Sequence, residues 1–311
     1  MPPILEIDDL TKRFGRRLVL DRLSLTVHAG DVFGFLGPNG AGKTTTLRIA
    51  LGLIRPSAGS VMLFGEDARR SVRARSRVGA MIEIPRFYPY LSAVENLRLL
   101  GRLSGLTDES AMRDVLEVVE LADVAHDPVG NFSQGMRQRL GVGQALLGDP
   151  DLVVLDEPTN GLDPKGIRDV RDLIRRVNAE RGTSFVISSH LLHEVEMLCS
   201  HVAIVDRGRL IEQGDVDDLL RGEPDHFRIS VGDPERARRL LVEAGFFVKD
   251  GVVDGAGSSR ALHLDEPAAR VPDANALLVE RGVAVFAIEP DRPSLEEHFL
   301  RRIDGERKRT P

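Results

Sequence analysis

The octapeptide from Gly37 to Thr44, GPNGAGKT, constrains the fold of this 311-residue chain more than any other segment. It matches the pattern GxxxxGK[ST] and lies between a compact apolar segment, 31–37, and a helical pattern. Glycines let successive backbone N–H groups point into one concavity, and the start of a helix adds partial positive charge. We expect Lys43 to reach the β- and γ-phosphates of a nucleotide and to be essential for catalysis, and the Thr44 hydroxyl to hold Mg²⁺. The nucleotide-binding residues expected in this loop are Gly37, Pro38, Asn39, Gly40, Ala41, Gly42, Lys43, Thr44 and Thr45.

A second apolar segment, 152–155, runs directly into Asp156 and Glu157. A buried strand with this ending delivers two carboxylates to a phosphate pocket, although a solvated strand end gives the same pattern. We expect Asp156 to bind Mg²⁺ through water and Glu157 to act as the general base on the attacking water. Together with the phosphate-binding loop, the acid pair predicts a site that hydrolyses a nucleotide.

Strand and helix patterns alternate through residues 1–220, which predicts an α/β domain with a parallel core sheet. The predicted strands are 4–10, 18–27, 31–37, 59–64, 78–84, 151–158, 183–188 and 202–206. The predicted helices follow Thr44 and occupy parts of 91–121, then 133–147, 164–181 and 190–199.

After residue 220 the composition changes, and 221–225 are expected to be a linker into a second domain, 221–311. The predicted order there is strand 227–231, helix 234–244, strands 246–253 and 260–264, helix 272–281, strand 283–289 and helix 294–302. Its βαββαβ core is the ferredoxin-like pattern, so a small α+β domain is expected.

The net charge, the cysteine count and the distribution of apolar residues limit the classes of protein that fit this chain. A net charge of −6 and a pI of about 5.8 argue against a nucleic-acid binder with a broad basic face. Cys199 is the single cysteine, so no internal disulfide can form. No run of 18 apolar residues and no signal peptide is present in the sequence, so we expect no membrane-spanning segment in this chain.

Further segments make the chain resemble the ATP-binding cassette family, in which a P-loop core carries antiparallel N-terminal strands and a helical subdomain, here expected at about 85–148. The segment 132–139, FSQGMRQR, resembles the family's LSGGQ signature, with Gln134 in place of glycine and Met136 in place of glutamine. The segment 160–163 resembles the D-loop, which crosses the dimer. The resemblance implies that Ser133, Gln134, Gly135, Met136 and Asp163 contact ATP bound mainly by a second subunit.

Three single residues gain their roles from the resemblance. His190 in Ser-Ser-His corresponds to the switch histidine, which contacts the γ-phosphate and positions Glu157, although a lone histidine before a helix is commonly a cap. Phe14 occupies the place of the aromatic residue that stacks on adenine, with a core role as the alternative. Glu83 stands where the family has a metal-contacting glutamine, so we expect it to bind Mg²⁺ and to add negative charge there.

The glutamate at 83 and the segment 294–300 resemble the drug- and antibiotic-exporting branch of the family, including the daunorubicin- and bacitracin-resistance type. The resemblance implies an ATPase with ATP and Mg²⁺ as cofactors, a homodimer around two ATP molecules, a separate integral membrane permease and a place on the inner face of the cell membrane. Phe87, Tyr88 and Tyr90 are expected either to meet that permease or to pack the helical subdomain.

Two other classes of protein that bind nucleotides fit the sequence less well. A soluble cassette ATPase that acts on ribosomes or DNA is the alternative, but this chain has one cassette, an acidic charge and no zinc or coiled-coil insertion pattern. A P-loop kinase or GTPase leaves the segment 132–136 unexplained, and the guanine-reading string NKxD is absent. The sequence does not name the cargo, and we expect no nucleic-acid partner.

Overall fold

The computed structural model describes residues 2–220, 226–249, 253–254, 260–290, 294–296, 298–299 and 302. The chain forms two compact units, the first extending to Val216 and the second beginning at Asp217. Among the described residues, no helix is both long and apolar enough to cross a bilayer. The expected linker, 221–225, lies outside the described residues.

The strands up to residue 220 are β1 (Pro3–Phe14), β2 (Arg17–His28), β3 (Val32–Leu36), β4 (Ala58–Leu63), β5 (Glu66–Asp67), β6 (Val78–Met81), β7 (Leu152–Asp156), β8 (Ser184–Ser189), β9 (His201–Asp206) and β10 (Arg209–Asp215). The helices are α1 (Lys43–Ala50), α2 (Val72–Ser76), α3 (Ala93–Leu103), α4 (Glu109–Val118), α5 (Gln134–Leu146), α6 (Pro164–Arg181), α7 (Leu192–Leu198) and α8 (Val216–Leu220).

The core of the first unit is a six-stranded sheet in the order β10-β9-β3-β8-β7-β6, in which all neighbours are parallel except β10 and β9. The strands β3, β7 and β8 are buried along their whole length, as expected for a parallel sheet covered on both faces. A separate antiparallel sheet has the order β2-β1-β4-β5. This arrangement confirms the predicted α/β cassette fold.

Local signals explain the bounds of several helices. The helix α6 begins after Asp163, whose side chain accepts a hydrogen bond from the Gly166 N–H, and it ends at Gly182 in left-handed conformation. The helix α3 begins with a capping box between Ser92 and Glu95. Hydrogen bonds from the backbone and hydroxyl of Ser92 hold the pKa of the Glu95 carboxyl below its usual value.

Some predicted bounds were wrong. The strand predicted at 78–84 ends at Met81, because Glu83 adopts a left-handed backbone with φ of 68°. The helix predicted from 190 starts only at Leu192. The strand β10 and the short helix α2 were not predicted at all.

The second unit contains β11 (His226–Val231), α9 (Pro234–Glu243), β12 (Val253–Asp254), β13 (Arg260–Asp265), α10 (Val271–Glu280) and β14 (Val285–Pro290). Its antiparallel sheet has the order β12-β13-β11-β14, which is the split βαββαβ arrangement predicted from the sequence. The predicted strand 246–253 is described only as a bridge between Val248 and Leu264 and as β12, and 250–252 lie outside the described residues. The predicted helix 294–302 lies only partly within the described residues, and there Leu295 and Phe299 are buried.

Candidate functional site

A cavity of about 600 Å³ lies at the carboxyl end of the core sheet, and we call it the phosphate-loop pocket. Its volume is in the range of small-molecule sites. The pocket brings together the predicted loop, the acid Glu157, His190 and Phe14. Its lining residues are Phe14, Arg17, Val19, Pro38, Asn39, Gly40, Gly42, Lys43, Thr44, Thr45, Glu157, Asn160 and His190.

The loop owes its shape to glycines at two positions. Gly40 and Gly42 have φ values of 83° and 105°, in the region that side chains rarely adopt. A Cβ atom on Gly42 would lie 2.5 Å from Leu20 Cδ2 and 3.2 Å from the Val19 carbonyl oxygen. Gly42 therefore allows α1 to begin at Lys43, so that its first N–H groups lack helical partners and stand beside the pocket.

Lys43 is the buried cation of the pocket, with 7% of its surface exposed. Its Nζ donates a hydrogen bond of 2.6 Å to the Gly37 carbonyl oxygen and lies 3.4 Å from Glu157 Oε1. Gly37 and Ala41 are absent from the pocket lining, but the Gly37 carbonyl orients the ammonium group. A buried positive charge that stands at a helix start is suited to a polyphosphate.

Asp156 is held from two sides at the end of β7. It is 4% exposed, and its Oδ2 accepts a 2.8 Å hydrogen bond from Thr44 Oγ1. Its Oδ1 accepts a hydrogen bond from the hydroxyl of the fully buried Ser188. Hydroxyl and carboxylate oxygens are the ligands that Mg²⁺ prefers, so this adjacent pair fits the metal implied by the resemblance.

Glu157 projects from a left-handed backbone, with φ of 52°, directly after β7. Its N–H donates to the Ser188 carbonyl oxygen at 3.2 Å and to the Ser188 hydroxyl at 3.0 Å. Its Oε2 lies 2.6 Å from Nδ1 of His190, while its Oε1 faces Lys43. The carboxylate is therefore fixed between two nitrogens and open to the pocket, a geometry that suits a general base.

At the opposite end of the pocket, Phe14 is 51% exposed, which does not fit the alternative role in a core. Its ring lies 4.7 Å from Nζ of Lys12, a cation–π distance. Arg17, paired with Phe14 across the β1–β2 hairpin, and Val19 and Asn160 also line the pocket. These three residues were not among the nucleotide contacts predicted from the sequence, and Arg17 is identified only by its pairing with Phe14 in the hairpin.

Glu83, predicted as a metal ligand, is absent from the lining of the phosphate-loop pocket. Its carboxylate forms an ion pair with the guanidinium of Arg48 in α1 instead. The Glu83 side chain is 60% exposed and that of Arg48 is 38% exposed. The Glu83 carboxylate is therefore paired with an arginine, and its role as a metal ligand beside Thr44 and Asp156 stays a prediction.

A second cavity, of about 470 Å³, contains the residues predicted to contact the ATP of a second subunit, and we call it the signature pocket. Ser133 caps α5 by accepting a 3.2 Å hydrogen bond from the Met136 N–H. The Gln134 amide lies close to Gly161, where an added Cβ atom would stand only 2.7 Å from Gln134 Nε2. The lining residues are Ser133, Gln134, Gly135, Met136, Arg139, Gly161, Leu162, Asp163, Lys165, Gly166 and Asp169. Within the described part of the chain, the two pockets share no lining residue.

Comparison with known proteins identifies the family of the chain. The ABC transporter family profile matches residues 20–160. The chain is 40% identical over 307 residues to the bacitracin transport ATP-binding protein BcrA of Bacillus licheniformis, which covers 98% of this chain and 99% of that protein.

Solved structures give the same result. A structure described as the ATP-binding subunit of an ABC transporter matches with a TM-score of 0.62 and 30% identity, over 70% of this chain and 92% of that one. The ATP-binding cassette MJ0796, solved as a dimer in a post-hydrolysis state with ADP and Pi, has a TM-score of 0.59 and 22% identity, over 68% and 98%, and supports the fold. The chain belongs to the ABC transporter family, as an ATP-binding subunit that hydrolyses ATP.

Proposed function

We propose that two copies of this chain close around two ATP molecules and power export of a drug, antibiotic or other amphiphile through a separate membrane permease. The observation that carries this proposal is the separation of the predicted nucleotide contacts into two cavities of one chain. Among the residues that the structure describes, the two pockets share no lining residue, and a second copy can place its signature pocket against the ATP of the first. The dimeric MJ0796 structure is a precedent for such an assembly.

In the proposed site, each residue has a distinct role. Thr44 and Asp156 would hold Mg²⁺, which supplies charge neutralisation of the phosphates. Lys43 would move from Glu157 onto the β- and γ-phosphates, leaving the carboxylate free to accept a proton from the attacking water. His190, within 2.6 Å of that carboxylate, would fix its orientation. Phe14 would stack on adenine, and the base would cover the exposed face of the phenylalanine ring.

We infer the direction of transport from likeness to a known relative, and the membrane partner from an exposed apolar patch on the surface. BcrA is named for bacitracin transport, and Glu83 resembles the same exporting branch. Of the predicted aromatic residues, Tyr88 and Tyr90 are 49% and 73% exposed and Phe87 is half-buried. Ile84, 81% exposed in the same segment between β6 and α3, adds to this patch, and its exposure favours an interface over packing of the helical subdomain. We propose that this patch meets the permease at the inner face of the cell membrane.

Dimerisation can be tested with Glu157→Gln, which removes the proposed base and preserves the shape. Its mass in solution is measured with and without ATP and Mg²⁺ by light scattering after size exclusion. We expect a dimer with ATP, because the closed state cannot hydrolyse its nucleotide. The matched control adds Gly135→Asp, since a Cβ atom there meets Ser133 Oγ only at an ordinary 3.9 Å while the carboxylate repels phosphate. The double variant should bind ATP and remain a monomer; equal dimerisation of both proteins would contradict the assembly.

The permease is tested by purifying the Glu157→Gln protein with ATP from detergent-solubilised cells of its source organism. Co-purification of an integral membrane protein with several spans supports the proposal. Recovery of ribosomes or DNA-processing proteins without a membrane protein would favour the soluble-ATPase alternative and refute export.

A further inference from the structure

The ion pair between Arg48 and Glu83 joins α1, whose first residues line the phosphate-loop pocket, to the segment that follows β6. Arg48 lies on α1, one helical turn after Thr44 and on the same face, because residues four apart in a helix are neighbours. Four residues of helix rise by about 6 Å. The backbone of Arg48 therefore stands about one turn from that of Thr44, whose hydroxyl pairs with Asp156.

Glu83 follows β6, which is the parallel neighbour of β7, so it lies at the same carboxyl edge of the core sheet as Glu157. In the register of β6 and β7, Met81 is opposite Leu155, so Glu83 and Glu157 each stand two residues beyond a matched pair. Both glutamates adopt a left-handed backbone, with φ of 68° and 52°. The chain thus places a second carboxylate at the same edge of the sheet as the proposed base, and this one pairs with Arg48.

We propose that Arg48 is a positioning residue which holds Glu83 away from the metal site, so that Arg48 and Mg²⁺ compete for one carboxylate. The inference rests on the proposed metal site at Thr44 and Asp156. A neutral glutamine at position 83 would need no such counter-charge, whereas a free glutamate would add a negative charge beside the phosphates. Arg48 cancels that charge until the metal arrives with the nucleotide.

The competition has a measurable consequence. A half-exposed ion pair is worth little to stability, and its strength corresponds to at most about a fivefold change in an equilibrium constant. Arg48→Gln releases Glu83 and should lower the Mg²⁺ concentration for half-maximal nucleotide binding by up to about fivefold. Removing a nearby positive charge also favours a cation by itself, so the Glu83→Gln background is needed to separate the two effects.

The experiment measures Mg²⁺-dependent binding of a fluorescent, non-hydrolysable ATP analogue to the full chain, without reference to turnover. The variants are Arg48→Gln, Glu83→Gln and both together. The matched control is Arg77→Gln, because Arg77 also forms an ion pair, with Asp151 at 2.7 Å and with side chains 42% and 53% exposed, and it does not line the phosphate-loop pocket. Asp156→Asn reports on the metal site itself.

We expect Arg48→Gln to lower the Mg²⁺ midpoint more in the native background than when position 83 is glutamine. An equal shift in both backgrounds would show that charge alone acts, and an absent shift in the native background would show that no competition exists; either result overturns the inference. If Asp156→Asn leaves the midpoint unchanged, the proposed metal site is wrong and the inference falls with it. If Asp156→Asn raises the midpoint while Arg48→Gln has no effect, only the inference fails.

Discussion

Ser188→Ala tests whether the hydroxyl in β8 supports the acid pair as the contacts indicate. Ser188 is fully buried, and its hydroxyl donates to the Asp156 carboxylate and accepts from the Glu157 N–H. Alanine removes both contacts without adding bulk. The Glu157 N–H retains the Ser188 carbonyl oxygen at 3.2 Å, so the main loss is the hydrogen bond to a buried carboxylate.

The magnitude follows from the charge of the acceptor. Hydrogen bonds to charged groups contribute about 1.5–3 kcal/mol, against about 0.5–1.5 kcal/mol for neutral ones. Ser189→Ala is the matched control, because Ser189 is 3% exposed and its hydroxyl accepts one hydrogen bond from the neutral Leu191 N–H at 2.9 Å. We therefore predict that Ser188→Ala lowers the free energy of unfolding by about 1 kcal/mol more than Ser189→Ala does.

The assay is urea-induced unfolding of the nucleotide-free protein, followed by circular dichroism, with both variants at one pH and salt concentration. The Mg²⁺ midpoint for binding the ATP analogue provides a second reading, and Ser188→Ala should raise it because Asp156 loses a fixed partner. Equal losses for the two variants, or a smaller loss for Ser188→Ala, would refute the reasoning from acceptor charge.

Two further predictions concern the base end of the pocket and the single thiol. Phe14→Ala should weaken ATP binding by about 5- to 150-fold, the equivalent of about 1–3 kcal/mol for one stacked base, and Phe14→Tyr should restore it; unchanged affinity in Phe14→Ala would exclude stacking. Burial raises the pKa of the Cys199 thiol, so we expect a thiol reagent to react with it only in urea; rapid labelling of the native protein would contradict its 7% exposure.

The parts of the fold that follow from local chemistry could be predicted from the sequence. The bounds of α6 match the prediction because Asp163, Pro164 and Gly182 mark them within the chain segment itself. The phosphate-binding loop is likewise a local pattern, and the structure places its residues against Glu157 and His190. Their chemical roles remain predictions.

The contacts that could not be predicted join residues that lie far apart in the chain and meet only in the folded structure. Ser188 meets Asp156 across the β7–β8 register, and Arg48 meets Glu83 between α1 and the turn after β6. Hydrophobic periodicity does not report backbone dihedral angles. The alternation of apolar residues at Ile82 and Ile84 therefore predicted that the strand continues, whereas Glu83 adopts a left-handed backbone there. The metal role of Glu83 follows from the family resemblance, which carries no information on the contact with Arg48.

The separation of the two pockets has a consequence for mixtures of damaged chains. In the proposed two-fold assembly, each composite site takes one pocket from each copy. A chain with a defective phosphate-loop pocket, paired with a chain whose signature pocket is defective, forms one site with both lesions and one site with none. Co-expression of Lys43→Ala and Gly135→Asp chains would then recover one intact site that neither mutant forms alone, so two individually inactive alleles can complement each other.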